Sequence, residues 1–137
     1  MHQEEVAMRE TERRQILIVE DHPGVATVLK QQLEYVGYAT HIAACGQEAL
    51  RYAAEHRADL VILDVKLPDI SGFEVSRELR KRYHRWDVPI LMLTALAQPI
   101  DELRGFAHGA DAYLTKPYEA AELLQTIALL LGQTTSA

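Results

Sequence analysis

A chain of 137 residues with 48% apolar content has the material for one α/β-sized core and leaves no room for a second catalytic or DNA-binding domain. Its 14 basic against 20 acidic residues, a net charge of −6, argue against a nucleic-acid surface, which needs a basic stripe to displace counterions from phosphates. Cys45 is the single cysteine, so no internal disulfide forms, and no stretch approaches the roughly 20 apolar residues that cross a bilayer. With no basic-then-apolar opening either, a reducing cytoplasm is the expected compartment.

Residues 1–14 form a charged extension. Glu5/Arg9 and Glu10/Arg14 are spaced four apart, which supports a short solvated helix, with disorder as the alternative because only Val6 and Met8 offer apolar surface. From Ile16 onward, short apolar runs alternate with segments of helical period, the pattern of parallel strands joined by crossover helices. Ile16–Val19 is the first strand. Val25, Val28, Leu29, Leu33 and Val36 repeat at three and four residues and make the first helix, with Gly37 as its left-handed terminator. Tyr38–Ala43 mixes in Thr40 and His41 as an edge strand does, whereas Leu60–Leu63 and Ile90–Leu93 are apolar throughout, as central strands covered on both faces must be. Ala112–Leu114 is the fifth strand. The remaining helices are predicted over 47–56, 73–83, 100–108 and 119–131, and residues 132–137 are read as a polar tail. The sum is (βα)₅, which right-handed crossovers close into a doubly wound α/β sheet.

Open parallel sheets bind ligands beyond the carboxyl ends of their strands, so the residues ending each apolar run carry the functional information. The first run ends in Glu20-Asp21, the third in Asp64, the fourth in Thr94 and the fifth in Thr115-Lys116-Pro117. Three carboxylates at one mouth repel one another unless a cation neutralises them. Oxygen ligands suit Mg²⁺, and no histidine or cysteine spacing supports zinc. The six histidines are scattered and read as ordinary surface or edge residues, although His22 stands beside the acidic pair and could line the pocket rim.

Four segments carry a family resemblance: Ile-Leu-Ile-Val-Glu-Asp at 16–21, Leu-Val-Ile-Leu-Asp-Val-Lys-Leu-Pro-Asp-Ile-Ser-Gly at 60–72, Pro-Ile-Leu-Met-Leu-Thr-Ala at 89–95 and Ala-Tyr-Leu-Thr-Lys-Pro at 112–117. Together they resemble the receiver domains of bacterial two-component response regulators, over Gln15 to about Leu131. The resemblance implies a CheY-like, flavodoxin-like fold with strand order 2-1-3-4-5 and helices on both faces. It implies that Asp64 is the phosphoacceptor, attacking the phosphohistidine of a sensor histidine kinase or histidine phosphotransfer protein. Glu20, Asp21 and Asp64 would hold Mg²⁺ together with the backbone carbonyl of Lys66, with Asp21 the more direct ligand of the acidic pair. Lys116 would neutralise the phosphoryl group, Thr94 would hydrogen-bond it, and Tyr113 would be the aromatic switch that changes the surface of helix four, strand five and helix five. Lys116-Pro117 resembles the family's cis peptide bond. Gly72 is expected to permit the tight turn before helix three, and Pro68 and Asp69 to shape the same loop.

Two departures bear on function. Tyr118 stands where phenylalanine often follows the Lys-Pro pair, a mild change. Helix five carries no basic residue between Leu123 and Leu131, which disfavours the homodimer of receivers that precede winged-helix DNA-binding domains. The expected output is a contact with a downstream protein or output domain, with homodimerisation as a further option. A vestigial receiver serving as a constitutive scaffold is one alternative. A Mg²⁺-dependent aspartyl-phosphate phosphatase is the other, disfavoured because Lys66 stands where such enzymes place a second aspartate.

Overall fold

The computed structural model describes residues 13–83 and 87–134. The charged extension, apart from its last two residues, and the last residues of the polar tail lie outside them. Five parallel strands form one sheet of order β2-β1-β3-β4-β5. The elements in chain order are β1 (Gln15–Val19), α1 (Pro23–Tyr35), β2 (Ala39–Ala43), α2 (Gly46–Glu55), β3 (Leu60–Leu63), α3 (Gly72–Arg82), β4 (Ile90–Thr94), α4 (Pro99–Ala107), β5 (Ala112–Thr115) and α5 (Ala120–Thr134). This is the doubly wound architecture expected from the alternating pattern.

Alternate residues of each central strand feed opposite faces, because strand side chains have a period of two. Leu17, Val19, Val61, Leu63, Ile90 and Met92 join one core, which α2 and α3 close with Ala49, Ala53, Phe73, Val75 and Leu79. Ile16, Ile18, Leu60, Ile62, Leu91 and Leu93 join the other, closed by Leu29 and Leu33 of α1 and by Leu123, Ile127 and Leu130 of α5. Truncating any of these fully buried leucines to alanine is expected to cost about 2–5 kcal/mol, the transfer term plus the cavity left behind. On the edge strand β2, Thr40 is half-buried and His41 exposed, as its composition foretold.

The helix boundaries show what periodicity alone misses. α1 begins at Pro23 because proline suits the first helical position and the His22 side chain caps the turn, its Nδ1 accepting from the Val25 amide at 3.3 Å. At the other end Gly37 has φ +104°, the left-handed conformation predicted for a terminator. α5 runs on through Thr134, so the sequence reading ended it early; Gly132 has open space around it and its α conformation is sterically free.

Gly72 permits the tight turn into α3, as expected, through close approach and not through positive φ. The residues at positive φ among the described glycines are Gly37 and Gly109, and Gly72 is instead the first residue of α3. Its constraint is close approach: a β-carbon there would lie 2.1 Å from the Asp64 carbonyl oxygen. Only glycine lets α3 start against the end of β3.

Candidate functional site

β1, β3 and β5 deliver their terminal residues to one mouth. Glu20 and Asp64 are buried, with 4% and 7% of their surface exposed, while Asp21 faces solvent. One carboxylate oxygen from each of Glu20, Asp21 and Asp64 falls within 4.8 Å of the others. Lys116 reaches in from the end of β5, its ammonium donating to Glu20 Oε1 at 2.7 Å and to Asp64 Oδ2 at 3.1 Å. Burial alone would lower the Lys116 pKa, but hydrogen bonds to Glu20 and Asp64 outweigh it and leave the pKa raised. Lys116 is therefore a cation throughout the physiological range. The Lys116–Pro117 peptide bond is cis.

Charge at this mouth does not balance. Three acidic side chains face one ammonium, and like charges this close favour uptake of a positive ion. An all-oxygen donor set with a solvent-facing member fits Mg²⁺, which keeps several waters and takes few protein ligands. The Lys66 amide turns back onto Asp64 Oδ1 at 3.2 Å, so the chain after the buried carboxylate folds over it.

Thr94 ends β4 and is fully buried. Its hydroxyl oxygen accepts from the Leu96 amide at 3.4 Å, and its carbonyl accepts from the Lys116 amide at 2.8 Å, tying the ends of β4 and β5 together. Tyr113, on β5, donates its hydroxyl to the Leu96 carbonyl at 2.9 Å. Its pKa is pushed up to about 12, first by burial and then by the negative charge of Asp101, Glu102 and Asp64. Thr94 and Tyr113 thus both hold Leu96 of the same short loop, one by its amide and the other by its carbonyl. α4 follows that loop and is loosely seated: Gly105 is its buried residue, and Ile100, Leu103 and Phe106 are exposed.

A sequence profile described as the response regulator receiver domain matches residues 16–128. The chain belongs to the response regulator receiver family. Its relatives among curated proteins include the DNA-binding dual master transcriptional regulator RpaA of Synechocystis, 40% identical over 87% of this chain and 49% of that protein. Another is the uncharacterized transcriptional regulatory protein YkoG of Bacillus subtilis, 46% identical over 89% of this chain and 53% of that one. The receiver thus spans about half the length of these relatives. Among solved structures, a CheY-like receiver domain protein from Methanospirillum hungatei is 32% identical with a TM-score of 0.84, covering 90% of this chain and 97% of that one. Vibrio cholerae CheY4 is 34% identical with a TM-score of 0.80, covering 86% and 98%.

Some of the receiver's contacts had no signal in the sequence. Tyr118 donates its hydroxyl to Gln32 of α1 at 2.8 Å, so the tyrosine at this position ties the β5–α5 loop to α1. Asp69, expected only to shape its loop, accepts hydrogen bonds from the first two amides of α2, at Gly46 and Gln47, each at 2.8 Å. An aspartate after a proline signals a turn, and nothing in it names a partner 22 residues earlier. Among the described residues no helix is long and apolar enough to cross a membrane.

Proposed function

We propose that this receiver is a phosphoacceptor switch in which the Asp64 carboxylate attacks the phosphorus of a phosphohistidine on a sensor histidine kinase or phosphotransfer protein. The new bond joins a carboxylate oxygen to phosphorus, the phosphorus–nitrogen bond breaks, and the histidine imidazole leaves with the bonding electron pair. Lys116 carries the reading. An ammonium bonded to both Glu20 and Asp64 lies where a phosphoryl oxygen on Asp64 would need a counter-charge, and phosphoryl transfer is mostly positioning and electrostatic stabilisation. Glu20, Asp21, Asp64 and the Lys66 carbonyl would hold Mg²⁺, which supplies the positive charge that lets an anionic nucleophile meet an anionic phosphoryl group.

Modification adds roughly −1.5 to −2 charge and three strong acceptors at the end of β3. Thr94 donates its hydroxyl to one of them, releasing the loop that it now shares with Tyr113. The loosely seated α4 and the surface it forms with half-buried β5 and with α5 then change as a unit, through a shift between existing states. The donor approaches along the groove of about 490 Å³ beside the mouth, lined by His22, Val25, Val28, Gln32, Pro117 and Tyr118. The switching unit is residues 15–131 with the last turn of α5, residues 1–14 are an extension, and the partner is a downstream protein, an output domain or a second copy. The domain acts in the cytoplasm, where phosphodonors are made, and catalyses only its own modification and hydrolysis.

Intact-mass analysis after incubation with acetyl phosphate tests this. One phosphoryl adduct is expected with Mg²⁺, none with a chelator and none on Asp64→Asn. An adduct on Asp64→Asn would overturn the assignment.

A further inference from the structure

The loop from Asp64 to Gly72 carries the phosphoacceptor at one end and is anchored far more heavily than a turn needs. Gly72 backs onto the Asp64 carbonyl, and its amide donates to the Val65 carbonyl at 2.8 Å. Ile70 fills the space that a side chain at Gly46 would take, since a β-carbon there would lie 2.4 Å from Ile70 Cγ1. Between these two contacts Asp69 reaches out of the loop. Its Oδ1 accepts from the Gly46 amide and its Oδ2 from the Gln47 amide, both at 2.8 Å.

Those amides are orphan donors at the positive end of a helix, and a carboxylate that accepts both satisfies them while complementing the helix dipole. The helix lacks the usual local solution, because its N-cap residue Cys45 makes no side-chain capping bond. Asp69 therefore caps α2 from another element. The same contact works in reverse on the loop: a rigid helix grips the middle of the segment whose first residues are Asp64, Val65 and Lys66. The depressed Asp69 pKa, about 2 through the Gln47 amide bond above all, agrees with a carboxylate held in place by these donors.

We propose that Asp69 is a positioning residue for the phosphoacceptor pocket, its two-amide clamp on α2 fixing the loop that presents the Asp64 carboxylate and the Lys66 carbonyl. This rests on the function proposed above and extends it to a residue outside the pocket. Outer partners that orient metal ligands typically account for 10–100-fold in metal affinity. The lower end applies to a partner acting through a loop.

The test is Mg²⁺ affinity by titration calorimetry on the whole chain, with amide hydrogen exchange and urea unfolding on the same samples. Asp69→Ala is expected to bind Mg²⁺ about tenfold more weakly and to exchange faster at the Gly46, Gln47 and Lys66 amides. Acetyl phosphate should still label it fully at saturating Mg²⁺. Gln47→Pro, which deletes one donor at a position where the first helical turn tolerates proline, should weaken Mg²⁺ binding in the wild-type background and add nothing to Asp69→Ala. Gln47→Ala keeps the amide and should match wild type. Asp69→Asn, which retains one acceptor, should fall between and serves if the alanine variant does not fold. Asp69 variants with lowered stability but wild-type Mg²⁺ affinity, or additive Asp69 and Gln47→Pro effects, would overturn this inference alone. Wild-type protein that takes up neither Mg²⁺ nor a phosphoryl group would overturn the parent reading with it.

Discussion

Two clusters of partly buried charge sit at opposite ends of the same sheet, and they are built differently. At the amino ends of β4 and β5, Arg80 donates to the Gly109 carbonyl at 2.9 Å, to the Val88 carbonyl at 2.7 Å and to the Asp111 carboxylate. Asp111 in turn accepts from the Ile90 amide at 2.8 Å. Among the described residues Arg80 pairs with Asp111 there, and fixed backbone groups take up further hydrogen-bonding capacity on both. At the carboxyl ends, the Lys116 ammonium pairs with two carboxylates, Glu20 and Asp64, and a third, Asp21, lies beside them facing solvent. The first cluster ties its charges to one another and to backbone, and it acts as a brace pinning α3 to the sheet. The second is short of positive charge and can be completed from outside. An ion pair shielded from solvent says little by itself about function; the residual charge separates a brace from a site.

That contrast predicts opposite responses to mutation. Asp64→Asn should abolish phosphorylation altogether while leaving a folded protein, read by intact mass alongside circular dichroism. Arg80→Ala should do the reverse: it takes the guanidinium away from the Asp111 carboxylate and from two backbone carbonyls and is expected to cost about 3 kcal/mol in urea unfolding, yet the adduct on Asp64 should still form. Loss of phosphorylation in folded Arg80→Ala would break the distinction.

Mg²⁺ sharpens it further. Binding to the native state alone should raise stability by about 2.7 kcal/mol at a concentration a hundredfold above Kd, in wild type and Arg80→Ala equally because the clusters do not touch. Asp64→Asn should lose most of that increment. The smallest effect concerns Tyr113, whose folded pKa of about 12 lies above its ordinary 10.0. A raised folded value means stability that is whole below pH 10 and is lost as pH rises toward 12. Tyr113→Phe should flatten that alkaline limb in a pH series of unfolding midpoints, and an unchanged limb would show that the hydroxyl is not held as described.

The sequence was most legible where one local rule decided the outcome. Leu60–Leu63 reads as a central strand because every residue is apolar, and the structure gives those same limits. Glu20, Asp64, Thr94 and Lys116 were visible as site candidates because they end apolar runs, and parallel topology converts such ends into neighbours. What stayed hidden depends on contacts between distant segments or on terminal groups outside the periodic pattern. Arg80 and Asp111 lie 31 residues apart, and no local pattern joins them. His22 caps α1 from a position that the apolar period of the helix does not reach. Gly72 was legible as the residue that permits the tight turn into α3, but the distance from the Asp64 carbonyl that demands glycine there is contained in no residue-by-residue rule.

The measurement that tests the central claim most directly is reductive trapping of the modified side chain. Borohydride converts an aspartyl phosphate into homoserine, so peptide mapping after treatment with phosphodonor, Mg²⁺ and borohydride reports the position of the acyl phosphate itself. Homoserine at position 64, absent without Mg²⁺ and absent without donor, is the result expected of a charge-deficient mouth completed from outside. Homoserine at another acidic residue, or equal yield at position 64 in the presence of a chelator, would contradict it.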